Sequence, residues 1–433
     1  MIIEQAMTSV LRRMGKKYTR FENLDHMIHI PEADPAREFM LYLHVPFCVV
    51  LCPFCSFHRV QYRETKAQRY FKALRQEIRM AHEAGYRFRE VYVGGGTPTV
   101  DVDEMARTLD LVRELNDVRQ ISMETNPDDL VPKHLERLQR AGVNRLSVGV
   151  QSLEDKLLEE MQRREKYGDS QMIRERLAST QGLFDTLNVD LIFNIPHQSK
   201  ESMLRDLEIL TGDIGVDQIS CYPLMGLRST HKAMKKDMGQ VNYGRERELY
   251  MALLDHMPAN YRPSSAWCFS SSHAPAIDEY IIDQENYIGL GSGAMSYLDG
   301  TLYASSFSIN HYMSLVESGH SGITRRVAFN RVDQMRYYFL MRLFGLKLSK
   351  AEAEARWDGE FERTLWRDFA AFKLVRGIRD TGDEWQLTRR GMYYWVLMMR
   401  EFFIAVSNFR DLMRLGIRSE LDPEDRVALR EPD

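Results

Sequence analysis

The chain has 433 residues, 44% hydrophobic and 28% charged, the proportions of a globular protein with a sizeable core. Its 58 basic and 62 acidic residues leave a net charge of −4, so no basic surplus points to nucleic acid. Five cysteines in a chain this long argue against a disulfide scaffold, and no apolar run approaches the ~20 residues of a spanning helix.

The first stretch, MIIEQAMTSVLRRMGKKYTR, reads as an amphipathic helix with basic residues and no signal-peptide core, so residues 1–38 form a helical extension in this reading. A β-like run at Phe39–Val45 leads into LYLHVPFCVVLCPFCSFHRV, where Cys48, Cys52 and Cys55 lie close together. A helix follows over Glu64–Gly85, with Tyr70, Phe71, Leu74 and Ile78 at helical spacing. Strand Glu90–Val93 ends in Gly94-Gly95-Gly96-Thr97-Pro98. Helix Val102–Leu115, strand Gln120–Glu124, helix Leu130–Ala141, strand Arg145–Val150 and helix Leu153–Gln162 come next. Strand Asn188–Asn194, helix Ser202–Leu210 and strand Gln218–Tyr222 complete the alternation. Repeated units of this kind predict an α/β fold with a parallel sheet, open or closed into a barrel, and chemistry at the C-terminal strand ends.

Beyond Leu224 the alternation weakens. Met225–Gly239 reads as a loop or short helix, Arg245–His256 as a helix, and Tyr287–Ala294 as a glycine-rich turn. Helices are expected at Val332–Phe344, Ala351–Arg356 and Phe361–Phe372, a hairpin at Gly377–Leu387 turning on Thr381-Gly382-Asp383, and a last helix at Met392–Leu415. Helices followed by a short hairpin suggest a winged-helix-like domain at 301–433 beside an α/β domain at 39–300, ending in a charged tail, LDPEDRVALREPD, expected to be mobile.

Three thiolates this close can turn toward one soft metal centre. Ordinary electron-transfer clusters use four cysteine sulfurs, so three would leave one iron open to a substrate. A Cys₃His zinc site with His58 is the rival reading, and packed thiols the plainest one. The unusual residues fall at strand ends: the triple glycine, Glu124 with Asn126, Gln151 with Ser152, and Asp190. That clustering favours a catalytic mouth over a peripheral zinc clip. The triple glycine lets a ligand reach bare backbone, or makes a tight turn. Glu124 needs a partner, and ribose hydroxyls, an ammonium group or an internal salt bridge would serve equally. Asp190, in NVDLIFNIP, is costly on a buried strand unless paired. Arg163 is a candidate for a ligand carboxylate, although EMQRREK reads first as a solvated charge run. His44 and His58 read as packed, hydrogen-bonded histidines. Tyr393, Tyr394, Trp395, Phe402 and Phe403 read as domain core, or as the lining for an apolar or polycyclic substrate.

Cys48-x₃-Cys52-x₂-Cys55, with an aromatic before the third cysteine, resembles the radical S-adenosylmethionine (radical SAM) signature. LYLHVPFC, VGGGTPT, NRLSVGVQS, DLIFNIPHQS and YIGLGSGAMSY resemble its oxygen-independent coproporphyrinogen III oxidase-like branch, from about Tyr42 to Tyr297. The resemblance implies a partial (β/α) barrel with a [4Fe–4S] cluster on Cys48, Cys52 and Cys55. It implies that SAM chelates the open iron and is cleaved to methionine and a 5′-deoxyadenosyl radical. By match to family positions, Tyr42, Gly95, Gly96, Thr97, Glu124, Gln151, Arg163 and Asp190 are expected to contact SAM; members of the branch can hold a second SAM near Tyr222 and the Gly291–Met295 turn, with Ala294 and Met295. No catalytic acid or base is assigned.

Two departures narrow the branch. Ser56 and Phe57 stand where the oxidases carry a further cysteine, and Asp283-Gln284-Glu285-Asn286 stands where haem chaperones carry their haem motif. What remains are methyl-transferring relatives that act on menaquinone or open haem, and cyclopropane-forming enzymes. CPFCSFHR and the aromatic last helix look most like the menaquinone methyltransferases, with a tetrapyrrole enzyme or a non-enzymatic haem chaperone as alternatives. The expected partners are an isoprenoid quinone or tetrapyrrole substrate and an electron donor such as flavodoxin or ferredoxin, in the cytoplasm. A brief membrane-surface contact through the first or last helix is compatible with a quinone substrate.

Overall fold

The computed structural model describes Glu4, Met7, Thr8 and residues 20–24, 29–34, 36–226, 230–271 and 285–416. Most of the expected N-terminal helix, Asp283, Gln284 and the charged tail lie outside the described residues.

Six strands follow one another in sequence and in space: β1 (Phe39–Val45), β2 (Phe88–Gly95), β3 (Gln120–Thr125), β4 (Arg145–Gln151), β5 (Thr186–Phe193) and β6 (Gln218–Pro223). Each pairs in parallel with the next, as short β–α–β connections require. Alternation along each strand sorts the two faces. On β5, Leu187, Val189 and Phe193 are buried apolar residues, while Asn188 and Asp190 join a polar network with Ser147 of β4 and Ser220 of β6. The covering helices include Glu64–Glu83, Val102–Leu115, Pro132–Arg140 and Lys200–Glu208, the last running on as a π-helical turn to Ile214.

The stretch expected to be only a glycine-rich turn is half strand. Its first part, β7 (Tyr287–Leu290), pairs in parallel with β1 on the side away from β2. Gly289 is needed there because the Met295 carbonyl of the returning strand fills the place of a Cβ. The sheet then continues antiparallel through Met295–Leu298, Thr301–Ser305, Ile323–Ala328 and Glu22–Asn23. Past β6 it adds Cys268–Ser271 and Tyr261–Pro263, making thirteen strands among the described residues. Its hydrogen bonding therefore does not break at residue 300. Helix Ser170–Thr180 was also unexpected; the Asp169 side chain caps it by accepting from Met172 N–H at 2.9 Å. Only Ile173, Leu177 and Thr180 of that helix are buried, too thin a stripe to announce it.

The C-terminal region holds helices Arg331–Phe344 and Lys350–Arg356, and the single helix expected at Phe361–Phe372 is two, Phe361–Thr364 and Trp366–Leu374, parted at Leu365. Strands Lys347–Ser349, Glu384–Leu387 and Ile378–Asp380 form the small three-stranded sheet. The last helix, Arg389–Gly416, returns to the main sheet. There Trp395 stacks on Phe344 at 4.0 Å and meets Trp267 edge-on at 6.1 Å, while Arg400 reaches the buried carboxylates of Glu246 and Glu401. Among the described residues no helix is long and apolar enough to cross a membrane.

Candidate functional site

The cysteine loop is closed at its base by pairing Phe47–Cys48 with Val60–Gln61. Val60 N–H donates to the Pro46 carbonyl at 2.7 Å and Tyr62 N–H to the Cys48 carbonyl at 2.9 Å. Inside the loop, Arg59 Nη2 donates to the Cys52 carbonyl at 2.6 Å and to that of Cys55 at 3.3 Å. Burial alone would depress the Arg59 guanidinium, but Cys55, Cys48 and Cys52 beside it raise it above its ordinary value. Burial, with Cys55 adding to it, pushes the Cys48 thiol up to about 12. Such a thiol keeps its proton until a metal displaces it.

The donor set fits an iron–sulfur cluster. Among the described residues no three His, Cys, Asp or Glu side chains converge as a single metal ion needs, whereas sulfurs bound to different irons of one cluster stand further apart. His58, the fourth ligand that zinc would use, lies against His44 with its Nε2 at 3.3 Å from Ser292 Oγ.

From the loop a chain of contacts runs along the strand ends. Thr97 Oγ1 lies 3.5 Å from Cys48 Sγ and accepts from Asn126 Nδ2 at 3.0 Å. Arg163 Nη2 donates to Asn126 Oδ1 at 3.0 Å and to the Gly149 carbonyl, its Nη1 lies 3.5 Å from Cys52 Sγ, and its guanidinium covers the Tyr167 ring. Arg163 is thus buried, not part of the solvated charge run expected from EMQRREK. Its Nε finds no hydrogen-bond partner among the described residues, one of the buried polar atoms that a bound group would satisfy.

Glu124 accepts from Gly95 N–H at 3.0 Å and from the Tyr92 hydroxyl at 3.1 Å. The Tyr92 ring stacks on that of Tyr42 at 6.2 Å. The triple glycine makes room for its neighbours: a Cβ at Gly94 would stand 2.8 Å from Glu124 Oε1, and one at Gly96 would stand 3.0 Å from Cys48 Sγ. Asp190, half-buried, accepts from Ser147 Oγ at 3.2 Å and from Asn188 Nδ2 at 2.9 Å, the pairing expected of an acid on this strand. Gln151 ends β4 in the left-handed region, φ 75°.

The structure therefore links Tyr42, Gly95, Gly96, Thr97, Glu124 and Arg163 to Cys48 and Cys52. Asp190 stands on the inward polar face nearby. Tyr222 lies next to the end of β6 and meets Trp267 edge-on at 5.1 Å, while Ala294 belongs to the turn after β7 and Met295 opens the returning strand. Sequence reasoning missed Arg59, Tyr70, Glu77 and Ser292. Glu77 left a readable signal: it falls on the buried stripe of helix Glu64–Glu83 beside Leu74 and Ile78, where an acid needs a reason. Arg59 left none.

A three-cysteine loop at the mouth of a parallel β/α sheet defines the class. Residues 42–210 match the model of the Radical SAM superfamily, and the cofactors are a [4Fe–4S] cluster and S-adenosylmethionine. Two kinds of relative are similar to this chain. Heme chaperone HemW of Bacillus subtilis (strain 168) is 28% identical over 292 residues, covering 64% of this chain and 75% of the relative. Oxygen-independent coproporphyrinogen III oxidase of Escherichia coli (strain K12) is 27% identical over 354 residues, 76% of each. The solved structure of coproporphyrinogen III oxidase (HemN) from Escherichia coli has the same fold, with a TM-score of 0.71 at 22% identity over 92% of this chain and 98% of that one. These relatives are a chaperone and an oxidase; neither name speaks for methylation of a quinone.

Proposed function

We propose that this chain is a radical SAM enzyme that methylates an sp² ring carbon of a large apolar substrate, menaquinone first among the candidates, using two SAM molecules. One observation carries the reading. The cysteine loop has an apolar rim: Val49 is 44% and Phe57 53% exposed, and Phe402 of the last helix is 47% exposed. Ser407 of that helix donates to the Ser56 carbonyl at 3.3 Å, so helix and loop meet. Such a rim suits an isoprenoid quinone better than a substrate bristling with carboxylates.

When bound, the cluster supplies one-electron reduction of the sulfonium ligand; the chain holds and shelters the reactants. Arg163 and Thr97 flank the sulfur ligands, and Tyr42, Gly95, Gly96 and Gln151 line the same strand ends. Glu124 and Asp190 offer carboxylates to ammonium or hydroxyl groups. A second SAM held by Tyr222, Ala294 and Met295 would react as if unimolecular. In this reading the barrel at 39–300 holds the cofactors, the helical segment at 301–433 covers the substrate, 1–38 is an extension, and a flavodoxin- or ferredoxin-like donor supplies the electron.

The relatives support a second reading, a tetrapyrrole substrate. A haem carrier without enzymatic activity is less well supported: Glu285, in the place of the haem motif, pairs with Arg356 at 2.6 Å, and Asn286 Oδ1 accepts from Asp299 N–H at 2.8 Å. Incubation of the reduced protein with methyl-labelled SAM and either menaquinone or haem separates the three. Label in the quinone is the expected result; an opened tetrapyrrole supports the second reading, and stoichiometric haem retention with no 5′-deoxyadenosine supports the carrier.

A further inference from the structure

Two glycine-rich segments far apart in sequence close on the same pair of histidines. A Cβ at Gly95 would stand 2.8 Å from His44 Cε1. One at Gly291 would stand 2.6 Å from both the His44 carbonyl oxygen and the Tyr70 hydroxyl, and one at Gly293 would overlap the His58 ring. The two imidazoles stack at 5.7 Å.

Hydrogen bonds join these groups into one strut. His44 Nε2 donates to the His58 carbonyl at 3.0 Å. Burial pushes His44 down to about 4, so the ring is neutral and Nδ1 accepts from the Tyr42 hydroxyl at 2.9 Å. Ser292 Oγ gives its proton to the Ser306 carbonyl at 2.8 Å, and so accepts from His58 Nε2–H. The Tyr70 hydroxyl donates to the His44 carbonyl at 2.7 Å and accepts from Ser292 N–H at 3.0 Å. Behind the turn, the buried Glu77 carboxylate accepts from Gly291 N–H at 2.9 Å, Gly322 N–H at 2.8 Å and the Tyr312 hydroxyl at 2.7 Å.

We propose that His44, His58, Tyr70 and Glu77 are positioning residues through which loading of the cysteine loop sets the conformation of the Gly291–Met295 turn. His58 lies just beyond Cys55 on the same loop. Tying Cys48, Cys52 and Cys55 to one centre removes the loop's freedom. His58 is fixed with it, and its ring fills the space left at Gly293 while holding Ser292. The coupling is reciprocal, so a ligand on the turn tightens the loop. This inference rests on the cofactor assignment and is independent of the substrate.

Hydrogen exchange on the full chain tests it, with and without reconstitution by iron and sulfide. In the wild type, amides of Gly291–Met295 are expected to exchange at least tenfold more slowly after loading, while the Ile378–Leu387 hairpin is unchanged. Tyr70→Phe, which keeps the ring, should shrink that gain severalfold at near-normal iron content. Ser292→Ala asks the same question should Tyr70→Phe fold poorly. Equal exchange of the turn before and after loading, or a full gain in both variants, overturns the strut. An iron count on the same samples keeps the two ideas apart: full iron with unchanged exchange sinks the strut alone, and a wild type that takes up no iron sinks the cofactor assignment and the strut with it.

Discussion

Arg163 at the mouth and Arg400 at the seam with the last helix are each only 4% exposed, yet they are balanced in opposite ways. Arg400 lies between the carboxylates of Glu246 and Glu401 and over the Tyr243 ring. Burial opposes its charge, but those acids hold it above its ordinary value. Arg163 has neutral partners in Asn126, the Gly149 carbonyl and the Tyr167 ring, and the neighbour that can become an anion is the Cys52 thiol. A buried charge needs a counterion. At the seam folding brings it; at the mouth, in the function proposed above, the cluster and its ligand would bring it.

The largest expected effect is at the mouth. Cys52→Ala should abolish both the brown cluster absorbance and SAM cleavage by reduced protein; survival of either would reject the ligand assignment. At the seam, Arg400→Met strands two buried acids and should cost about 3–5 kcal/mol in urea unfolding, with iron per folded molecule unchanged. Arg163→Met should show the opposite split, with unfolding within about 1 kcal/mol of wild type and iron occupancy down severalfold. Matching losses in the two variants would erase the contrast.

Asp206 sharpens the comparison from the acid side. It is buried, accepts from Ser152 Oγ at 2.7 Å, and burial pushes it up to about 6 from 3.8. A raised folded-state value means the native protein binds the proton more tightly. Its contribution is therefore present below the unfolded value and lost as pH climbs through 6, about 2–3 kcal/mol in all. Urea midpoints between pH 4 and 7 should flatten in Asp206→Asn; an unchanged slope would place the titration elsewhere. The smallest effect is expected of Asp190→Asn, about tenfold weaker SAM binding at normal iron content, checked by equilibrium dialysis. A fall in iron would mark Asp190 as structural.

The six β–α units and the cysteine loop were legible in the sequence because long elements carry their burial pattern within themselves. Helix Val102–Leu115 has the bounds read from its periodicity. The acids at strand ends were legible too, since a carboxylate such as Asp190 among apolar residues must have partners. Only the tertiary structure decided that Tyr287–Leu290 is a strand, that the sheet runs on through short antiparallel pieces, and that Arg163 is buried. Short edge strands depend on the neighbour that pairs with them more than on their own pattern. The glycines show the same limit: their spacing marks a close approach, but that His44 and His58 do the approaching is known only once distant segments meet.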